Sequence, residues 1–112
     1  MEINLSKKQN TFNMNKTQQI KNIVAKIDIK KINGYLQEYP GSKTLKEIIK
    51  YSKRALDSKE DEKVFKLGTD LAYELDILVN KTSYVEKEEE KKFWLEISRE
   101  LFENTIGVKE NK

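Results

Sequence analysis

Apolar side chains recur along this chain at intervals of three and four residues, in four separate stretches. Such spacing places them on one face of an α-helix and leaves the opposite face polar. Four amphipathic helices joined by short polar segments predict an all-α fold, specifically an antiparallel four-helix bundle. The predicted buried stripes are Ile20, Ile23, Val24 and Ile27; Leu45, Ile48, Ile49, Ala55 and Leu56; Val64, Leu67, Leu71, Leu75 and Leu78; and Phe93, Trp94, Ile97 and Leu101.

The first stripe does not continue in register along the chain. Ile29, Ile32 and Leu36 would lie on a different side of a continuous helix from the apolar residues that precede them. A kink or break near Asp28 would bring the two sets onto a common face, so we predict one there. The segment EYPGSKT ends this element, because Pro40 disfavours helical geometry at the residue before it.

Two small residues, Gly68 and Ala72, stand beside the third stripe. A neighbouring helix can approach closely where the side chains of its partner are small. We therefore predict a tight helix–helix contact at this point of the third helix.

Helix starts are indicated by a short polar residue that is followed three positions later by an acid or an amide. In this pattern the first side chain accepts a hydrogen bond from the first turn, and the second side chain reaches back to the cap. Each occurrence precedes one of the apolar stripes, so the pairs predict where the four helices begin. The pairs are Asn15–Gln18, Thr44–Glu47, Ser58–Asp61 and Ser83–Glu86.

An acidic run, Glu86 and residues 88–90, stands just before the last apolar stripe. With Ser83 as the cap, these carboxylates fall in the first two turns of a helix, where the earliest complement the positive end of its dipole. A cation site would need carboxylates that converge from several directions, which a single helix start does not supply. We therefore interpret the run as a helix start, and we expect no metal site.

The sequence predicts one domain between two short ends. We assign residues 1–13 to a flexible leader, residues 14–107 to a single helical domain and residues 108–112 to a short tail. No apolar run reaches the length that a membrane-spanning helix needs, and the first residues lack the apolar core of a signal peptide. We expect a cytoplasmic protein, with peripheral contact at the inner face of the membrane left open.

The residue types argue against an enzyme. The chain of 112 residues contains no cysteine and no histidine, so disulfides, thiolate metal sites and the commonest general base are excluded. No glycine-rich phosphate-binding loop is present either. We therefore predict no catalytic residues, no metal and no cofactor.

Charge is distributed unevenly along the chain. Residues 1–55 carry a formal excess of eight positive charges, and residues 56–112 carry an excess of five negative charges. A basic face on the second helix, formed by Lys46, Lys50, Lys53 and Arg54, lies off the apolar stripe. We predict that this face either pairs with the acidic helices or contacts anionic lipid.

The last helix carries a second apolar stripe, more than about 100° around the helix from the first. A helix with so wide an apolar arc is either wedged between two neighbours or offers part of its surface to a partner. We predict that the second stripe, with Tyr84 at the start of the helix, contains the residues that meet a partner. Its members are Leu95, Phe102 and Ile106.

The middle of the chain resembles a known family. The stretch IIKYSKRALDSKEDEKVFKLGTDLAYEL, residues 48–75, is similar to the middle helix pair of the immunity proteins for class II bacteriocins, of the lactococcin A and enterocin A immunity type. The helix end RALD, residues 54–57, carries part of the likeness, and Met14 followed by NKTQQI resembles the usual start of the family. The resemblance also extends to the order of the helices.

The resemblance implies an antiparallel four-helix bundle that acts from the cytosolic side of the membrane. Members block the pore that a bacteriocin opens through a sugar permease of the mannose phosphotransferase type. Their C-terminal half commonly determines which bacteriocin is resisted. Several members have a longer tail than the GVKENK of residues 107–112, which shifts the expected recognition to the last helix of this chain.

Three functions of different classes follow from these observations. The first is an immunity protein, a monomer or weak dimer, that binds the complex of bacteriocin and permease. The second is a small phage- or plasmid-encoded regulator that binds a protein or nucleic acid through its basic N-terminal half. The third, an enzyme that uses carboxylates alone, ranks last.

Overall fold

The computed structural model describes residues 16–106, and all of its regular structure is helical. Five helices follow one another, and no strand occurs within the described range. The predicted all-α fold is confirmed. The predicted leader, the tail, the ends of the domain and the cap at Asn15 lie outside the described residues. The helices are α1 (residues 16–24), α2 (Ile29–Glu38), α3 (Lys43–Asp57), α4 (Asp61–Asn80) and α5 (Glu88–Asn104).

The predicted count of four helices is wrong, because the first predicted helix is divided in two. Its division lies at the predicted position: Asp28 is extended and its side chain accepts a hydrogen bond from the backbone N–H of Lys31, at 3.2 Å. Asp28 thereby caps a new helix, which satisfies a donor that the first turn would leave without a partner. The break brings Ile27 and Ile32 into one core, where both are buried.

The predicted caps at Thr44 and Ser58 are also displaced. Helix α3 begins one residue before Thr44, and its cap is the buried Ser42, whose hydroxyl accepts from the backbone N–H of Leu45 at 3.1 Å. Ser58 ends α3 instead of starting α4, and its hydroxyl accepts from the backbone N–H of Glu60 in the intervening turn. A serine therefore lies at each of these two helix boundaries. In both cases its hydroxyl accepts from a backbone N–H other than the one that the predicted cap would satisfy.

The predicted cap at Ser83 is wrong by more than one turn, because α5 begins at Glu88. The segment before it is held by side-chain packing: Val85 is buried, and the ring of Tyr84 stacks on that of Tyr39 with centroids 4.3 Å apart. The hydroxyl of Thr82 closes the turn by accepting from the backbone N–H of Tyr84. These contacts keep the segment out of the helix and shorten the predicted element.

Helix α4 lies at the centre of the packing, with α3 on one side and α5 on the other. Gly68 of α4 lies against Leu101 and Thr105 of α5, and the hydroxyl of Ser98 donates to the carbonyl of Ala72 at 2.7 Å. Since these pairings run in opposite directions along the two helices, α4 and α5 are antiparallel. The predicted close approach at Gly68 and Ala72 is confirmed.

Helices α1 and α2 cover one side of the layer formed by α3, α4 and α5. From α1, Ile20 lies over Gly68, and the ammonium group of Lys21 donates to the backbone carbonyl of Ser58 at 2.6 Å. From α2, the hydroxyl of Tyr35 accepts a hydrogen bond from the indole N–H of Trp94 at 3.2 Å. These contacts place all five described helices, so none of the helices within residues 16–106 remains to cover the opposite side of the layer.

The core contains most of the predicted stripes. On α5, Trp94, Ile97 and Leu101 are buried as predicted, but Phe93 is 38% exposed and the prediction that it is core is wrong. Phe93 lies about 100° around the helix from Trp94, so its ring reaches the edge of the core and packs edge-on against the indole ring. Leu56, also predicted to be buried, is 43% exposed at the end of α3.

Candidate partner-binding surface

The second apolar stripe of α5 lies at the margin of the core. Leu95, Phe102 and Ile106 are each half-buried, and Phe102 packs partly against the core. The ring of Phe102 meets that of Tyr73 from α4 edge-on, with centroids 4.9 Å apart and planes at 89°. Tyr73 itself is 51% exposed, so the pair presents aromatic surface on the outer seam between α4 and α5.

Tyr73 is the residue of this surface that the sequence analysis missed. It stands on the polar side of α4, away from the stripe that runs from Val64 to Leu78, and an aromatic residue in that position is a signal for surface contact. We refer to Tyr73, Leu95 and Phe102 as the α4–α5 patch.

Tyr84 does not join the α4–α5 patch. Its half-buried ring is stacked on Tyr39 in the segment that precedes α5, near the end of α2. Phe102 lies about 20 Å further along, by the rise of a helix from Glu88. Leu95 and Phe102 therefore share one side of α5 by the helical period, and Tyr84 lies before the other end of the helix. The prediction that Ile106 belongs to the same helical stripe is wrong, because α5 ends at Asn104 and Thr105 leaves the helical geometry.

Leu95 borders a shallow groove among charged side chains of α5. The groove has a volume of about 470 Å³ and is lined by Lys92, Leu95, Glu96 and Arg99 of α5. Arg99 and Glu96 form an exposed ion pair within the helix, with 3.9 Å between nitrogen and oxygen. The α4–α5 patch thus has an apolar centre and a charged margin, an arrangement that is typical of protein–protein interfaces.

The predicted basic face lies on α3 and points away from the core. Lys46, Lys50, Lys53 and Arg54 are all exposed, and within residues 16–106 none of the four forms an ion pair. The basic and acidic halves of the chain do meet, but through Lys26 with Glu100 and Lys31 with Glu90. Pairing with acidic helices therefore involves a lysine of the turn after α1 and a lysine of α2 instead of the predicted face.

Arg54 differs from the three lysines in its surroundings. It lines an open groove of about 650 Å³ between the end of α3 and the start of α4, which Tyr51 and Leu67 also line. Lysines and carboxylates alternate along the rest of this groove. The walls are completed by Asp57, Ser58, Lys59, Glu60, Lys63, Lys66 and Asp70.

The same seam holds a pair of carboxyl groups further along α3 and α4. Burial and a hydrogen bond with Glu47 raise the pKa of Glu74 from 4.5 to about 7, and the negative charges of Glu47 and Asp70 add to the effect. Lys43 acts in the opposite direction but does not offset these causes. The carboxyl group of Glu74 therefore keeps its proton to a higher pH than an ordinary glutamate does, because burial and nearby negative charge disfavour its ionised form.

The raised pKa of Glu74 makes stability depend on pH. The folded state retains a proton that the unfolded state loses above pH 4.5, so the free energy of unfolding falls as pH rises from 4.5 to about 7. Glu74→Gln removes this dependence, so we expect it to raise the melting temperature at about pH 8 and to have a smaller effect at about pH 5. Glu103→Gln on the exposed face of α5 controls for the lost charge. Equal shifts for Glu74→Gln at both pH values would contradict the prediction.

Three glutamates of the acidic run lie at the start of α5, as predicted, but Glu86, which was predicted to lie in the first turns, precedes the helix. Glu88, Glu89 and Glu90 occupy the first turn. Glu90 also accepts a 2.6 Å hydrogen bond from the hydroxyl of Tyr35 and pairs with Lys31, and these contacts lower its pKa. Burial and the bond to Glu90 raise the pKa of Tyr35 to about 12. Among residues 16–106 no group of three or more acidic residues is placed to hold a metal ion.

Comparison with known proteins adds no relative. No protein-family model, no curated protein and no solved structure matches this chain. Within the described part of the chain, none of the helices is long and apolar enough to cross a membrane. The function must therefore be argued from the surfaces themselves and from the resemblance of residues 48–75.

Proposed function

We propose that this chain is a bacteriocin immunity protein that protects its host by binding the complex of bacteriocin and permease from the cytosolic side. It acts as a monomer or weak dimer and performs no catalysis. The observation that carries the proposal is the aromatic pair of Tyr73 and Phe102, which is displayed on the uncovered seam between α4 and α5.

Helix α5 has fully buried anchors apart from its second stripe, of which Phe102 also packs against the edge of the core. Trp94, Ile97 and Leu101 already anchor this helix in the core with at most 2% of their surface exposed. Apolar side chains that remain half-exposed beside a complete core are available to a partner. Tyrosine and phenylalanine are enriched at protein interfaces because their rings bury a large area with few rotatable bonds.

The resemblance supports the same surface. The similar stretch, residues 48–75, covers the end of α3 and most of α4, including Tyr73. In immunity proteins the C-terminal half commonly determines which bacteriocin is resisted, and here that half contains α5. The resemblance implies a four-helix bundle, and the chain has four apolar stripes, although the first predicted helix is divided between α1 and α2.

The proposal is tested by expressing the chain in a bacteriocin-sensitive strain that carries a mannose-type permease. The wild-type chain should protect against at least one of a panel of class II bacteriocins. Phe102→Ala and Tyr73→Ala should each keep the fold and lower the tolerated concentration by about 30-fold, since a central interface residue contributes about 2 kcal/mol or more.

Phe93→Ala provides a matched control. Phe93 is a partly exposed aromatic of the same helix, but it lies on the opposite edge of α5 from Phe102. The control should protect like the wild-type chain. Absence of protection by the wild-type chain against the whole panel would refute the immunity function. Equal loss in all three variants would show that the α4–α5 patch is not the binding surface.

A regulator that binds nucleic acid is the second candidate, and the unpaired cations of α3 favour it. Phosphate contacts release counterions, so each cation that meets a phosphate adds to the salt dependence of binding. Duplex DNA binding that weakens steeply with salt, and that Lys46→Gln, Lys50→Gln and Lys53→Gln together abolish, would establish this function in place of immunity.

A further inference from the structure

Three lysines form a row on the outward face of α3. Lys46, Lys50 and Lys53 lie within about 60° of one another around the helix and opposite its buried residues, Leu45, Ile48, Ser52 and Ala55. By the rise of an α-helix the row extends about 10 Å. We call these three residues the α3 lysine row.

The α3 lysine row has no acidic neighbour that neutralises it. Other lysines reach carboxylates within 4.0 Å: Lys26, Lys31, Lys63 and Lys91 all do so. In the part of the chain that the structure describes, no member of the row forms such a pair. By the helical period, this face of α3 also carries one carboxylate, that of Asp57, at the C-terminal end of the helix. The face therefore keeps a net positive charge.

An exposed apolar side chain stands beside the row. Leu56 is 43% exposed and lies about 60° around the helix from Lys53. The half-buried side chain of Ile49 lies between Lys53 and Leu56 around the helix axis. Protein surfaces that lie at a membrane interface combine cations, which anionic lipid attracts, with apolar side chains that enter the boundary of the acyl chains. Charge and apolar surface thus occur together on a face that no described helix covers.

We infer that the α3 lysine row, with Leu56, rests on an anionic lipid surface. The ammonium groups approach lipid phosphates, and Leu56 enters the boundary between headgroups and acyl chains. The contact is peripheral, because the rest of α3 stays packed against α4. It does not depend on the proposed immunity function, since it needs only an anionic bilayer.

Lipid fits this face better than nucleic acid does. Phosphate groups of either nucleic acid or lipid can meet the three ammonium groups, but only a lipid surface also offers an apolar zone beside its phosphates. Leu56 would remain exposed on a phosphate backbone but would be buried in a bilayer interface. A flat cationic row with an apolar flank therefore matches the two chemical zones of a lipid surface.

Vesicle co-sedimentation of the full chain tests the inference. Vesicles of phosphatidylcholine alone should bind little protein, and vesicles of equal parts phosphatidylcholine and phosphatidylglycerol should bind it in a salt-sensitive manner. The triple variant Lys46→Gln, Lys50→Gln, Lys53→Gln should weaken binding to the anionic vesicles by on the order of 100-fold, at about fivefold per lysine. Leu56→Ser should weaken it by about tenfold and leave the salt dependence unchanged.

A charge-matched variant controls for net charge. Lys30→Gln, Lys81→Gln, Lys92→Gln removes three exposed lysines from other helices or their ends. It should lose no more than about a few-fold in affinity, because charges beyond a Debye length of the lipid are screened. Equal loss in the two triple variants would overturn the inference, as would equal binding to neutral and anionic vesicles. Tighter binding to duplex DNA than to anionic vesicles, abolished by the first triple variant alone, would assign the row to nucleic acid instead.

Discussion

Replacing Trp94 with alanine is expected to reduce the free energy of unfolding by about 3–5 kcal/mol. The indole ring is fully buried, and its N–H donates to the hydroxyl of Tyr35. The variant leaves a large cavity between α2 and α5 and also removes a hydrogen bond that joins them. Since a domain of this size has a free energy of unfolding of about 5–15 kcal/mol, the variant would lose a large part of its stability. Urea denaturation followed by far-ultraviolet circular dichroism measures the difference.

Phe93→Ala is the control, because Phe93 is the next residue and also aromatic. It is 38% exposed, and its main specific contact is the edge-on packing with the ring of Trp94, whose centroid is 4.8 Å away. Such an aromatic pair contributes about 0.5–1.5 kcal/mol. Because the Phe93 side chain also buries some apolar area, we expect Phe93→Ala to lower the free energy of unfolding by about 1–2 kcal/mol. Comparable losses for the two variants would mean that Phe93 belongs to the core after all.

Alanine substitutions at two glycines, Gly68 and Gly34, are expected to change the free energy of unfolding in opposite directions. A Cβ atom on Gly68 would lie 2.9 Å from the Cγ2 of Ile20 and 3.4 Å from the Cγ2 of Thr105, both of which are buried. Ile20 is branched at Cβ and cannot move away without shifting α1. Overpacking of this kind costs about 1–3 kcal/mol, and we expect Gly68→Ala to destabilise the protein by about 1–2 kcal/mol after the gain in helix propensity.

Gly34 can be replaced by alanine without a steric clash. It lies within α2, and a Cβ atom there would have no atom within 4 Å. Gly34→Ala should therefore stabilise the protein by about 0.5–1 kcal/mol, because alanine loses less conformational freedom in a helix. Melting temperatures of the two variants give the comparison. If Gly68→Ala also raised the melting temperature, α1 would not be packed against α4 as the structure shows.

The sequence was sufficient to predict the helices because their apolar stripes are long and regular. The stripe from Val64 to Leu78 lies within α4, and the shift of register after Ile27 located the break at Asp28. Helix starts were predicted less well. Thr44, Ser58 and Ser83 have the chemistry of caps, but tertiary packing decided which residue acts as one, as the burial of Val85 and the stacking of Tyr84 show.

The sequence predicts only part of the candidate site, because some of its residues share one helix and another residue lies on a neighbouring helix. Leu95 and Phe102 share one side of α5, which periodicity alone reveals, whereas Ile106 lies beyond the end of the helix at Asn104. Tyr73 belongs to another helix, and its place beside Phe102 depends on how far α4 and α5 are offset along their axes. That offset is set by contacts such as the one between Ser98 and Ala72, which no local pattern encodes.

The chain contains a single tryptophan, and it lies where α2 meets α5. Fluorescence excited selectively at the indole therefore originates from one buried location instead of an average over the molecule. Tyr35 joins that indole to the carboxylate of Glu90, so the emission of Trp94 reports directly on whether α2 remains docked. A chain with several tryptophans would require engineering before it could provide so local a signal.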